Sequence, residues 1–345
     1  MNRKAIRKVV CPASVERCRN VEAAILPLSR DRLCLAYTNG QKCRFDRGDV
    51  RIMMKQSSDG GETWSQPTLL HQYDGKPNAM EPSFLRLPSG RILQTFQKRD
   101  GDLSEDQRFG DMSLMACFSD DECRSWTEPV DFSGPGNVDF TSNDRLLLLD
   151  DGRIGLPVLV APEMTRVRLW LSDDGGQSWS PGRGCVAASE GERFGYPAAV
   201  ELADGTVAMF LLSTAGRMQT AHSYDRGETW TLVSAVTLAP CSATFMVRRI
   251  PDSADLLAVW NNHPERTQLT SAISQDHGAT WVHFRLLEPQ HSSPAARTHA
   301  FPSVAFAHGW AHMTWYENYA HPQTETMFDL VYRREPIKWF YADSE

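Results

Sequence analysis

Apolar runs broken by turn residues recur along the chain in a regular order. The phrases LPSGRI around Gly90, LDDGRI around Gly152 and LADGTV around Gly205 each set a two-residue turn between apolar runs, the mark of a β-hairpin. Looser versions, LSRDRL near Asp31, IPDSADLL near Ala254 and FAHGWA near Gly309, extend the series to six. A polar pattern, Ser-x-Asp-x-Gly-x-x-Trp, runs in phase with them. It begins at Ser57, Ser172, Ser223 and Ser274, and a fifth copy at Ser119 carries Cys123 in place of the glycine. Trp64 to Gly90, Trp126 to Gly152 and Trp179 to Gly205 are each separated by 26 residues, so box and hairpin belong to one repeating unit.

Each unit reads as a four-stranded meander. The glycine hairpin joins the first two strands and the Asp motif joins the last two, as in DRLLLLD, RIGLPVLVA, VRLWLS and the strand after Trp179. Six such sheets set radially predict an all-β, six-bladed β-propeller forming one domain over residues 1–345. The blades fall at roughly 20–75, 76–135, 136–188, 189–238, 239–290 and 291–345. Either IKWFYA or the N-terminal IRKVVC can supply the outer strand of the last blade, and the N-terminal segment is favoured because it latches the ring. The repeated aspartates serve their own turns by accepting backbone N–H bonds, and the tryptophans pack between sheets.

Composition narrows the function. With 36 Lys and Arg against 43 Asp and Glu the net charge is -7, which argues against a nucleic-acid partner held by phosphate neutralisation. No run approaches the roughly 20 apolar residues that span a bilayer. The opening MNRKAIRKVVCPASVERCRN lacks the apolar core of a secretory signal, so a cytoplasmic protein without a membrane partner is expected. The eight cysteines are scattered and include no CxxC, which predicts free, mostly buried thiols. His308 and His312 are four apart, but His308 sits in a hairpin turn, so no metal and no cofactor is expected.

In a meander the hairpins and Asp motifs share one face, which leaves the other for a site. Every unit carries arginine on that second face, Arg19, Arg99, Arg145, Arg217, Arg266 and Arg297 among them, in an otherwise acidic chain. Guanidinium forks match carboxylates, so an anionic ligand is expected. Counting nine residues back from each hairpin gives equivalent positions on the inner strands: Glu22, Glu81, Asn143 and Tyr196. These residues differ where a repeat predicts sameness, and Asp144, Arg145 and His299 fall near them. Carboxylates, a phenol, an imidazole and guanidiniums at the mouth of a ring are materials for acid/base work on a sugar. Asn261 and Arg266 rise on the same face from the fifth unit.

The motifs SSDGGETWS, SDDGGQSWS, SYDRGETWT and SQDHGATWV resemble the Asp boxes, or BNR repeats, of the sialidase superfamily. MEPSFLRLPSGRI, SNDRLLLLDDGRI, LLAVWNN and RTQLTSAIS further resemble its broad bacterial sialidase-like branch. The resemblance covers nearly the whole chain and implies a six-bladed propeller acting as an exo-glycosidase on a terminal acidic sugar such as sialic acid. Sialidases hold the substrate carboxylate with three arginines and attack with a Tyr assisted by a Glu. Their first arginine lies in an Arg-Ile-Pro phrase, whereas NVEAAILPL here has Val21 and Glu22 at those places. By that resemblance Arg145, Arg217 and Arg266 are nominated as carboxylate clamps and Tyr196 with Glu81 as nucleophile and helper; by their place on the second face, Arg99, Asn143, Asp144 and Asn261 are expected as further substrate contacts. Three readings follow: a glycosidase using Glu22, Glu81 or Tyr196; a lyase abstracting a proton beside a uronate with His299 or Tyr196; and a glycan-binding propeller without chemistry.

Overall fold

A computed structural model describes residues 4–29, 31–41, 49–73, 77–100, 112–214, 216–239, 243–288 and 297–342. Among them no α-helix occurs, and no helix is long and apolar enough to cross a membrane. Antiparallel meanders account for nearly all the regular structure. Unit 1 is Arg19–Pro27, Leu33–Gly40, Val50–Ser57 and Thr68–His71. Unit 2 is Pro77–Arg86, Ile92–Asp100, Met112–Ser119 and Val130–Asp131. Unit 4 is Phe194–Glu201, Val207–Ser213, Arg217–Ser223 and Ser234–Ala235, and unit 5 is Met246–Arg249, Leu256–Asn261, Leu269–Ser274 and Val282–Leu286.

Unit 6 runs Thr298–Ala307, Trp310–His321 and Glu325–Pro336, and takes its outer strand from the N-terminus, where Ile6–Cys11 pairs antiparallel with Glu325–Pro336. IKWFY instead forms a 3-10 turn over Ile337–Tyr341 and buries Phe340 in the core between units 5 and 6. One parallel bridge, Arg19 to Phe328, merges units 1 and 6, so the hydrogen-bonded sheets number five among the described residues.

The inner strand expected of DRLLLLD is broken. In unit 3 only Asp139–Phe140 and Leu147–Leu148 pair with Ile154–Val160, and residues 141–146 leave the ladder altogether. The backbone N–H groups of Asp144 and Arg145 donate to Pro82 O and Ser83 Oγ of unit 2 in place of ladder bonds, and the side chains of Ser142, Asn143, Asp144 and Arg145 bond to other units. The remaining strands of unit 3, Ile154–Val160 and Arg166–Ser172, form a regular pair flanked by two short outer pieces.

Apolar burial falls between units. One cluster fills each gap, from units 1 and 2 through units 5 and 6, and Cys11, Leu33, Tyr37, Leu330 and Tyr332 close the series between units 6 and 1. The Asp motif locks these gaps at one end. In unit 4, Ser223 Oγ donates to Asp225 Oδ1 at 2.8 Å and accepts from Gly227 N at 2.8 Å, while Asp225 accepts from Thr229 N and Thr229 Oγ1. Gly227 has φ +86°, and a Cβ there would stand 2.6 Å from Leu169 of unit 3, so both conformation and space require glycine. Gly60 N donates to Asp31 O, which puts hairpins and Asp motifs on one face. Of the described cysteines, Cys11, Cys34, Cys117, Cys123 and Cys185 are free thiols, but Cys18 is disulfide-bonded, contrary to the expectation of free thiols throughout.

Candidate functional site

Four of the inner strands share a defect. Register shifts interrupt them between Val21 and Ala24, Met80 and Ser83, Gly195 and Ala198, and Ala300 and Ser303. Each holds a non-glycine residue in the left-handed region: Glu22 at φ 55°, Glu81 at 56°, Tyr196 at 51° and Phe301 at 57°. Unit 3 does the same with Asp144 at 55°, one residue beyond the Asn143 reached by counting. Such conformations cost on the order of 1–3 kcal/mol each and persist where surrounding structure enforces them. A bulge re-aims side chains, and these point chemistry-bearing groups toward the centre.

The detached segment of unit 3 occupies that centre. Thr141, Ser142, Asn143, Asp144 and Arg145 are consecutive, polar and almost wholly buried. Asn143 Nδ2 donates to Ala23 O of unit 1 at 2.6 Å and to Phe301 O of unit 6 at 3.4 Å. Arg145 Nη1 donates to Phe245 O of unit 5 at 2.9 Å, and Ser142 Oγ donates to Glu81 Oε2 of unit 2 at 3.4 Å. Asp144 accepts from Ser303 Oγ of unit 6 at 2.7 Å and faces Arg248 of unit 5. The segment therefore plugs the axis and ties units 1, 2, 5 and 6 together.

Burial lowers the Arg145 guanidinium to about 10, assisted by Arg248, while Asp144, Glu81 and Tyr196 oppose the shift. Its Nε and Nη2 are buried without a hydrogen-bond partner, so two donors stand ready among Glu81, Asp144 and Tyr196. Burial raises the Asp144 carboxyl, with Arg248 and Ser303 opposing.

A second group adjoins the plug. Arg266 Nη1 donates to the Tyr316 hydroxyl at 2.9 Å, and Arg19 Nη2 meets Glu22 Oε1 at 3.1 Å. Burial raises the Tyr316 phenol, Arg266 and Arg19 work against it, and Glu22 adds to it, so all three lie within electrostatic reach of that hydroxyl. Aromatic contacts extend the group: Tyr196 edge-on to Phe301 at 5.7 Å, Phe301 stacked on Tyr316 at 5.6 Å, and Tyr316 edge-on to Phe328 at 5.2 Å.

Of the residues singled out from sequence, Arg19, Glu22 and Arg266 come together around Tyr316, Glu81, Asn143, Asp144 and Arg145 meet at the plug, and Tyr196 lies within electrostatic reach of Arg145 and edge-on to Phe301. Asn261 is buried in unit 5, where its Nδ2 donates to Thr267 O at 3.4 Å and closes the loop that carries Arg266. Arg99 is half-buried in the second strand of unit 2, paired between Asn78 and Met112. The backbone of Arg217 opens a strand of unit 4, but its side chain lies outside the described residues.

The backbone N of His299 donates to Arg266 O at 2.8 Å, but its imidazole is engaged elsewhere. It is buried between units 5 and 6, its Nε2 3.4 Å from Glu317 Oε2, where Glu317 also receives Arg7 and Arg297 and Arg7 bridges to Glu288. Glu288, His299 and Glu317 offer three metal-type donors within 4.8 Å, but two guanidiniums already engage the carboxylates. Sequence reasoning missed Tyr316, Phe301 and Arg248. Tyr316 sits in the apolar phrase MTWYEN and reads as core; only its place beside the bulge of the neighbouring inner strand reveals it.

The model of the BNR repeat-like domain matches residues 31–323. No curated protein matches the chain in sequence. Among solved structures, the chain is similar to a protein of unknown function from Dyadobacter fermentans, with TM-score 0.75 and 16% identity over 96% of this chain and 99% of that one. It is similar to the intramolecular trans-sialidase from Ruminococcus gnavus, with TM-score 0.75 and 14% identity over 96% and 97%. It also matches the NanB sialidase from Streptococcus pneumoniae, with TM-score 0.76 and 13% identity over 96% of this chain and 70% of that one. At these identities the likeness is one of fold. Repeat, fold and family model agree, and the chain belongs to the BNR repeat-like domain family.

Proposed function

We propose that the whole chain is a single six-bladed propeller of sialidase type that removes a terminal acidic sugar from glycans at the mouth formed by Glu22, Glu81, Tyr196, Arg19, Arg266 and Tyr316. The six inter-unit cores, the last between units 6 and 1, support the six-bladed reading. The observation that carries the chemistry is the Arg266–Tyr316 bond within reach of Arg19 and Glu22. Arginines there would hold a sugar carboxylate bidentately. The Tyr316 hydroxyl would attack the anomeric carbon as Glu22 takes its proton. The departing glycan oxygen would be protonated by Glu81, and water would then displace the tyrosine.

The assignment moves the nucleophile from Tyr196 to Tyr316, because Tyr316 has both guanidiniums and a carboxylate around its hydroxyl. Tyr196 and Arg145 would line the pocket wall. A lyase reading has less support, since the imidazole of His299 is engaged with Glu317 in the gap between units 5 and 6.

Mass spectrometry of products from oligosaccharides ending in sialic acid, other keto-acid sugars and uronates tests the proposal. Sugars released with the gain of water, lost at least a hundredfold in kcat by Tyr316→Phe, are expected. Unsaturated products would establish a lyase, an anhydro sugar an intramolecular transfer. No turnover with retained binding would leave a glycan-binding propeller.

A further inference from the structure

The face with the hairpins and Asp motifs holds a second opening on the axis. Below the plug lies a cavity of about 300 Å³ to which every unit contributes, through Ile25, Phe84, Leu146, Val200, Arg248 and Val304. Its walls are mostly apolar and its inner end is the Asp144–Arg248 pair. Arg248 Nη2 donates to the backbone oxygen of Asp144 at 2.6 Å and lies 3.3 Å from Asp144 Oδ1. Those contacts engage one nitrogen of the fork. The side chain is 20% exposed and lines the cavity, so its remaining donors are available there. Asp144 is satisfied from the other side by Ser303 Oγ at 2.7 Å, which holds the pair in place when a ligand arrives.

We propose that this cavity binds a small carboxylate with an apolar body, its carboxylate on the free donors of Arg248 and its hydrocarbon against Phe84, Val200 and Val304. An arginine fork at the closed end of an apolar chamber favours a planar anion over a neutral acceptor, because the charge-assisted bonds are about twice as strong. The volume stands at the lower end of small-molecule pockets and excludes a sugar chain. The cavity opens on the face opposite the proposed sugar mouth and is separated from it by the plug, so the inference does not depend on that function. Asp144 belongs to the cavity and Arg145 to the mouth, and they are neighbours in sequence.

Isothermal titration calorimetry of the intact protein with sodium benzoate and sodium hexanoate, against benzyl alcohol and benzylamine, tests the assignment. Saturable binding of both carboxylates, with the alcohol and amine at least tenfold weaker, is expected. Arg248→Met should weaken benzoate at least tenfold. Since that substitution leaves Asp144 with one partner fewer, Ala305→Leu, which fills the cavity from its wall, gives a second route to the same loss. Circular dichroism and thermal unfolding show whether each variant is folded. Arg266→Lys, at the mouth, should leave benzoate binding unchanged. Absence of saturable binding to the folded protein, equal binding of the alcohol, indifference to Ala305→Leu, or loss on Arg266→Lys alone would overturn the proposal.

Discussion

At the residue scale, the left-handed residues give a test with an inverted sign. In a strand, glycine is ordinarily worse than alanine by about 0.5–1 kcal/mol, because it surrenders more backbone freedom. At Glu81, with φ 56°, the Cβ itself is the burden. Glu81→Gly should therefore be more stable than Glu81→Ala by about 1 kcal/mol in chemical denaturation; alanine equal to glycine would remove the strain from the argument. His71 gives a second test. It is buried, stacked on Phe96 at 4.2 Å and bonded to Gln94 at 2.8 Å, and burial lowers its pKa to about 4. A folded value below the unfolded one, about 6.5, means that the unfolded chain binds the extra proton between the two. Stability should thus fall as pH drops from about 6.5 toward 4, by on the order of 1–3 kcal/mol. His71→Leu should flatten that part of the profile, and an unchanged slope in denaturant midpoints between pH 7 and pH 4.5 would refute it.

At the element scale, the Asp motif was legible as a turn but not as the whole device. Five hydroxyls at its sixth step, Thr63, Ser125, Ser178, Thr229 and Thr280, each donate to the motif aspartate, and a pattern of four fixed positions omits them. The motif also reaches across the gap to the preceding unit, which no local reading of a turn reveals. At Gly176 a Cβ would meet Leu93 Cδ2 of unit 2 at 2.9 Å. Unit 2 has Cys123 in the glycine place, at φ 64° and buried, and the residue of unit 1 in phase with Leu93 is the smaller Cys34, which interacts with Cys123. The two cysteines are thus a matched exchange. Cys34→Leu alone should overpack the gap and cost about 1–3 kcal/mol. Cys34→Leu with Cys123→Gly should recover most of that loss, and a double-mutant cycle with coupling below about 0.5 kcal/mol would show the sites to be independent. The plug was illegible for a related reason: SNDRLLLLD has the pattern of an inner strand, and only bonds to four other units pull residues 141–146 out of it.

At the scale of the whole molecule, the repeat made the series of meanders readable, but the way the chain ends meet depends on a long-range contact. Ile6–Cys11 crosses to the last long strand, and Arg7 reaches past it: Nε to Glu288 Oε1 at 2.5 Å and Nη2 to Glu317 Oε2 at 2.8 Å. Both carboxylates are buried. Burial presses the Glu317 carboxyl upward, but the His299 bond with Arg297 and Arg7 outweighs it and holds it at about 2. A lowered folded pKa contributes stability that is present above the unfolded value and is lost as pH falls toward about 2, so at neutral pH the cluster is fully stabilising. Removing one partner of a buried pair costs about 3–5 kcal/mol. Arg7 is 38% exposed, and Arg297 and His299 remain on Glu317, so Arg7→Met should cost less, about 1–2 kcal/mol. Glu288→Gln in that background should return part of it by removing the uncompensated charge. Deleting residues 1–11 removes the outer strand as well, uncovers the edge of Glu325–Pro336 and exposes the core around Leu330 and Tyr332. That truncation should lower the unfolding midpoint well beyond Arg7→Met and open Glu325–Pro336 to limited proteolysis. A truncated protein that unfolds at the same denaturant concentration as the intact chain would show that unit 6 holds without its N-terminal strand.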